Sequence, residues 1–358
     1  MKRVLVINEG YSDNLGDQAI NESLHFLLQQ NHIKEINFQD FTKNIQKLRE
    51  ININTKESKK SFFLPFIKTL FPNKMKFIIK NIVRIIENSK NKYDIVFIGG
   101  GQLIMGNASF PIAMFLWISL LKLFGNNNIY LISVGAASDI KFNFLDKLLF
   151  KYSFKNVKNI YVRDKKSMEI MKFIFKRKVE FIYDLAFIHN QIHQTNFKNE
   201  NVPKIYSAAM SIMPLKTYLE HNIDQISKTE YYDSWIQLVK NNNIQLNDLV
   251  LFYTTQGDRN AVYDFQDYIL DMYNIQLEVI ETNTIDKLIT LYDNTNIVIS
   301  GRMHALILGL VYDCNIITYF ISDKLKEFDS LYIQDKKDVK NIQQTLQITI
   351  KNILKGHK

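Results

Sequence analysis

Residues Asn296 to Leu310 read N-I-V-I-S-G-R-M-H-A-L-I-L-G-L, and the fold is decided here. Ile297, Val298, Ile299 and Ser300 predict a short buried strand. Gly301 breaks it, and Ala305-Leu306-Ile307-Leu308 opens a helix on a new period. Arg302 and His304 fall in the turn between them, at the carboxyl end of the strand. Open α/β sheets bind ligands there, beside a helix amino terminus whose free N–H groups favour anions. A guanidinium in that position suits a carboxylate or phosphate as a fork, and an imidazole moves a proton near neutral pH. Taken alone, the stretch reads equally as an arginine capping a loop and a histidine filling a turn.

The rest of the chain extends the pattern. At 358 residues, 46% hydrophobic and 23% charged, it is long enough for about two domains. The single cysteine, Cys314, excludes an internal disulfide and a cysteine-based zinc site, and points to a reducing compartment. The first apolar run, Val4 to Ile7, is too short for a signal peptide and reads as a strand. Ala108 to Leu121 contains Pro111 and falls short of the roughly 20 residues that a membrane span needs, so a buried helix is expected. The expected location is cytoplasmic. Between Lys56 and Lys92 ten Lys or Arg face only Glu57 and Glu87, so this segment carries nearly all of the net charge of +9. The charge is a local patch rather than a groove along the chain, and nucleic acid is not an expected partner.

Strands and helices alternate along the chain. Lys2 to Asn8 predicts a first strand, followed by the small, polar loop Glu9 to Asp17 and a helix over Ala19 to Gln29 with Asp17 as its N-cap. The loop is neither a Walker A nor a GxGxxG sequence. Tyr93 to Ile98 predicts a strand ending in Gly99-Gly100-Gly101, and three glycines there serve positive φ or close backbone approach. Ile129 to Val134 and Asn159 to Val162 follow, the second leading into Arg163-Asp164-Lys165-Lys166-Ser167. Val179 to Ile182 precedes Asp184. Residues 191–204 are polar and without period, the best linker. His189 and His193 stand at i, i+4, but no third ligand lies near them in sequence, so no metal site is expected. A second strand–helix series runs from Lys204 to Phe320. The fold class expected is α/β, two Rossmann-like doubly wound domains facing a cleft in the GT-B manner. The domains expected are 1–190, a linker at 191–204, and 205–358 with a terminal helix. A basic, Phe-rich insertion lies at about 56–92. Its Phe/Ile stripe either packs on the core or meets an anionic membrane surface.

In this order the motifs resemble the polysaccharide pyruvyl transferase family. Asn14-Leu15-Gly16-Asp17 is similar to its N-x-G-D, and Asp94 leads into Gly99-Gly100-Gly101. Arg163-Asp164-x-x-Ser167 is similar to R-D-x-x-S, and Asp184-Leu185-Ala186-Phe187 to D-P-A-F, with leucine where the family commonly has proline. Ser300 to Ala305 and then Lys324 complete the series. The insertion before Tyr93 is outside the resemblance.

What the resemblance implies is transfer of the enolpyruvyl unit of phosphoenolpyruvate to two hydroxyls of a sugar, giving a ketal and phosphate, in surface polysaccharide or glycoconjugate synthesis. Phosphoenolpyruvate is then the donor substrate, and no cofactor or metal is expected. Its two anionic groups would be met by Arg302, Arg163 and Lys324. His304 would be the general acid that protonates the methylene carbon, and Asp17 or Asp184 the base for the sugar hydroxyl. The glycine loops around Asn14–Gly16 and Gly99–Gly101 are expected to hold the saccharide, and the carboxyl-terminal domain the donor. If the basic patch lies on a membrane, at the inner face of the cell membrane, a polyprenyl-linked acceptor is expected. Two readings compete: a GT-B glycosyltransferase using a nucleotide sugar, and a non-enzymatic protein binding anionic membrane or nucleic acid through the patch.

Overall fold

Near-continuous apolar runs of four to six residues can be buried on both faces, which parallel strands covered by helices require. The chain forms two such sheets. The computed structural model describes residues 2–43, 73–106, 109–137, 142–193, 204–222, 225–335 and 338–356. The chain divides into two compact units, 1–11 with 24–184 and 345–358, and 12–23 with 185–344.

The first unit is built on β1 (Arg3–Asn8), α1 (Leu15–Gln30), β2 (Glu35–Asp40), α2 (Asn73–Lys90), β3 (Ile95–Ile104), α3 (Phe110–Leu123), β4 (Ile129–Ala136), α4 (Phe144–Lys155), β5 (Asn159–Val162), α5 (Lys165–Phe173) and β6 (Glu180–Phe181). All its strand pairs are parallel, in the order β2-β1-β3-β4-β5-β6. The order reverses between β1 and β3, as in a doubly wound sheet. Trp117 in α3 is fully buried, and its indole N–H donates to the Phe41 carbonyl at 3.1 Å. Phe150, Phe154 and Phe175 pack ring to ring in the same core.

The glycine triplet does not end its strand as expected. β3 runs through Gly99, Gly100 and Gly101, all at positive φ, to Ile104, and its register on β4 shifts after Gly101. At Gly99 a Cβ would stand 2.0 Å from the Ile132 carbonyl oxygen, so a residue other than glycine would push β3 off β4. Of the basic insertion, residues 56–72 lie outside the described residues. Over the remainder, α2 buries Phe77, Asn81, Arg84 and Ile85 and leaves Met75, Ile79, Lys80 and Val83 exposed. Within α2 one side therefore packs on the core and the other faces solvent, while the Phe62–Phe71 part of the stripe lies outside the described residues.

The second unit contains α6 (Asn190–His193), β7 (Tyr206–Ser211), α7 (Leu215–His221), α8 (Lys228–Asn241), β8 (Leu249–Leu251), α9 (Gln256–Tyr273), β9 (Glu278–Val279), α10 (Ile285–Asp293), β10 (Thr295–Ser300), α11 (Met303–Val311), β11 (Asn315–Thr318) and α12 (Asp323–Phe328), and α13 (Val339–Lys355) closes the chain. Its sheet is again parallel, in the order β11-β10-β7-β8-β9. The reversal falls between β7 and β10. The turn after β10, with Arg302 and His304, thus stands at the topological switch point of this sheet.

Two boundaries differ from the expected ones. Residues 12–23, the N-x-G-D loop and the first half of α1, group with the second unit. The last half of α13 groups with the first unit, where Ile350, Ile353 and Leu354 are buried and the Lys2 ammonium donates to the Leu354 carbonyl. Both ends of the series therefore leave the domain that their sequence position suggested. Most of the expected linker, 194–203, lies outside the described residues.

Candidate functional site

The N-x-G-D sequence shapes its own turn. The Asn14 side chain accepts from the Gly16 N–H at 3.0 Å and its carbonyl from Asp17 N–H, which makes Asn14 the cap of α1. Asp17 is therefore not the N-cap. It lies in the first turn, where its carboxylate accepts from the Ser12 hydroxyl at 3.0 Å. Leu15 N–H donates to the Thr254 carbonyl at 3.0 Å, and the Asp13 carboxylate accepts from Gln256 N–H at 3.2 Å. These two bonds fasten the loop to the start of α9. On its other side the loop meets the turn after β10. A Cβ on Gly16 would stand 2.4 Å from His304 Nδ1 and 2.5 Å from His304 Cβ, so only glycine lets this backbone pass the imidazole. The amino-terminal turns of α1, α9 and α11 thus come together around Gly16, Gln256 and His304.

Helix amino termini carry partial positive charge, so three of them side by side favour an anion. Arg302 caps α11, and its backbone N–H donates to Ser300 Oγ at 3.0 Å. Its guanidinium grips Asp258 in a fork, Nε at 3.0 Å from Oδ2 and Nη2 at 2.5 Å from Oδ1. Asp258 is fully buried, and the Arg302 side chain remains 34% exposed. The carboxylate fixes two guanidinium nitrogens, and the exposed part of the fork can still meet a ligand. Lys324 is half-buried in the first turn of α12, after β11.

The remaining predicted residues belong to the first unit. Arg163 and Asp184 pair at 2.6 Å with only 3% and 5% of their side chains exposed. Asp164 caps α5 by accepting from Ser167 N–H at 2.6 Å, and the Ser167 hydroxyl accepts from Ala136 N–H at 2.7 Å. R-D-x-x-S therefore ties the ends of β4, β5 and β6 together. Gly99, Gly100 and Gly101 are buried inside β3.

Sequence reading missed Asp258 and the cluster around Glu281. Asp258 sits three residues after Thr255, whose hydroxyl accepts from its N–H at 3.2 Å, an ordinary capping pattern that gives no sign of an arginine partner. Glu281 accepts from the Tyr253 hydroxyl, from the Tyr263 hydroxyl at 2.5 Å and from Arg259 Nη2 at 3.1 Å. The two phenol hydrogen bonds, with help from Arg259, hold its carboxyl down to about 2. A cavity of about 520 Å³ lined by Tyr130, Lys158, Asn159, Glu180 and Asn352 opens at the amino-terminal ends of β4 to β6. It holds none of the predicted residues and lies at the edge of the sheet away from ligand chemistry.

A family described as polysaccharide pyruvyl transferase matches residues 14–319. Among curated proteins no relative matches the chain. Among solved structures, the UDP-GlcNAc 2-epimerase of Methanocaldococcus jannaschii superposes with a TM-score of 0.54 at 10% identity, covering 99% of this chain and 100% of that one. The Neisseria meningitidis UDP-GlcNAc 2-epimerase bound to UDP-GlcNAc gives 0.52 at 10% identity over 99% and 100%. An S. aureus MnaA–UDP structure gives 0.50 at 12% over 97% and 91%. At such identities the likeness concerns the fold alone, and that fold is GT-B-like.

Proposed function

Because the chain belongs to the polysaccharide pyruvyl transferase family, a family of transferases, we propose that it moves the enolpyruvyl unit of phosphoenolpyruvate onto a saccharide as a ketal. The observation that carries this reading is the meeting of three helix amino termini with Arg302 and His304 at the carboxyl end of β10. Phosphoenolpyruvate has a carboxylate and a phosphate, and this cluster offers the positive ends of three helix dipoles and a guanidinium to both. Asn14 and Gly16 then belong with the donor rather than with the saccharide, because their loop packs against the His304 turn.

In the proposed chemistry His304 gives its proton to the methylene carbon, which becomes the methyl group, and C2 becomes electrophilic. One sugar hydroxyl adds to C2 and loses its proton to a base. The second hydroxyl then displaces phosphate, and its proton leaves with the phosphate, so one donor and one diol give one ketal and one phosphate. Asp17 suits the base better than Asp184. It lies in the turn beside His304, whereas the Asp184 carboxylate is buried against Arg163. The exposed Met75, Ile79 and Val83 of α2 beside Lys80 support recruitment to an anionic lipid surface, where a polyprenyl-linked acceptor would be met.

The same anion site would suit the diphosphate of a nucleotide sugar, so the donor decides between the two readings. Thermal-shift titration with phosphoenolpyruvate should raise the melting temperature of the native chain. A ligand at 100 times its dissociation constant stabilises by about 2.7 kcal/mol. The shift should vanish in Arg302→Ala and persist in His304→Ala. A native chain that ignores phosphoenolpyruvate and responds to UDP-GlcNAc would move the assignment to nucleotide-sugar chemistry.

A further inference from the structure

His189 and His193 found no third ligand in the sequence, but the fold supplies one from 167 residues away. Glu22, on α1, places its Oε2 2.9 Å from His189 Nε2. One potential ligand atom from each of Glu22, His189 and His193 lies within 4.8 Å of the others. His189 follows the buried turn Leu185–Ile188, and His193 is one helical turn further, its ring 5.5 Å from that of His189. All three residues lie in the second unit. We propose that Glu22, His189 and His193 form a binding site for a divalent transition-metal ion of the zinc class, separate from the anion site and independent of the donor's identity.

Three further observations point to a ligand here. His193 Nε2 is buried and has no hydrogen-bond partner among the described residues. An imidazole nitrogen in that state costs free energy that a metal bond would recover. His189, fully buried, has its second ring nitrogen 3.1 Å from the Tyr312 hydroxyl. With Nδ1–H donating to that hydroxyl, Nε2 presents its lone pair to the ion, the arrangement that orients metal-bound histidines elsewhere. The Glu22 side chain is 40% exposed, which gives the ion a way in and leaves room for water in the coordination shell.

Zinc bonds of about 2.0–2.2 Å in a tetrahedron set neighbouring ligand atoms about 3.4 Å apart. The Glu22–His189 pair opens by about half an ångström to reach this, and the widest spacing closes by rotation of side chains. Two imidazoles and one carboxylate, with no thiolate, suit zinc or cobalt(II) better than copper(I) or calcium. The bound ion would tie α1, whose first turn carries Asn14, Gly16 and Asp17, to the segment ending at His193. Through Tyr312, at the end of α11, it would reach the helix that begins beside Arg302. Its role is positioning.

The full chain, stripped with EDTA, is titrated with zinc by calorimetry and with cobalt(II) by visible absorption. The native protein should bind one zinc per chain and show the d–d bands of tetrahedral cobalt. His193→Ala, which removes a group with no hydrogen bond to lose, should keep the native circular dichroism, lose the cobalt bands and weaken zinc by more than about a hundredfold. Glu22→Gln should weaken zinc as well while retaining a hydrogen-bond partner for His189. His32→Ala should bind as the native chain does. Absence of stoichiometric zinc, or binding in a folded His193→Ala and in Glu22→Gln equal to that of the native chain, would overturn the assignment.

Discussion

Arg163 and Arg302 occupy like positions, each just past the end of a parallel strand and each gripping an aspartate, yet their surroundings differ. The Arg163–Asp184 pair is closed to solvent on both sides, at 3% and 5% exposure. Arg302 buries its aspartate completely and keeps a third of its own side chain open. A cation that is to meet a substrate needs an accessible face. A buried pair holds strands together, and removing one member leaves the other as an uncompensated charge. The sequence marks both arginines as candidates for an anionic substrate. Burial separates the one built into the sheet from the one presented at its edge.

Stability should rank the pairs. Asp184→Ala takes the carboxylate from the buried Arg163 guanidinium and should cost about 3–5 kcal/mol in urea unfolding. Asp258→Ala leaves Arg302 able to turn toward water and should cost about 1–3 kcal/mol. Equal losses, or the reverse order, would break the comparison. A third pair, Arg259 with Glu281, is exposed on both sides, at 44% and 41%, and extends the series to its weak end. Hydrogen bonds hold the folded Glu281 carboxyl at about 2, against an ordinary 4.5. Its contribution is therefore present above about 4.5 and is lost as pH falls toward 2. Glu281→Gln should flatten the acid dependence of the urea midpoint across that window and shift the neutral midpoint least of the three.

The alternating fold was legible because parallel strands buried on both faces leave unbroken apolar runs such as Val4–Ile7 and Ile129–Val134. Gly99–Gly101 misled, because glycine read as a terminator can equally carry a strand past a close neighbour, here the Ile132 carbonyl. The N-x-G-D and R-M-H motifs were each visible, but not that their two turns pack on each other, because Gly16 and His304 are brought together only by tertiary packing. The same holds for Asp258 beneath Arg302 and for Glu22 beside His189. Local patterning fixes which residues sit in a turn, and long-range packing fixes what faces them.

The N-x-G-D loop and the turn after β10 are proposed to form one phosphoenolpyruvate site. Calorimetric titration of phosphoenolpyruvate into the native chain and into Gly16→Ala tests it most directly. The added methyl group would stand 2.5 Å from His304 Cβ as well as 2.4 Å from Nδ1, so the loop and the turn after β10 must move apart. Gly16→Ala, folded by circular dichroism, should lose at least about tenfold in affinity, or 1.4 kcal/mol. A folded Gly16→Ala that binds phosphoenolpyruvate as tightly as the native chain would contradict it.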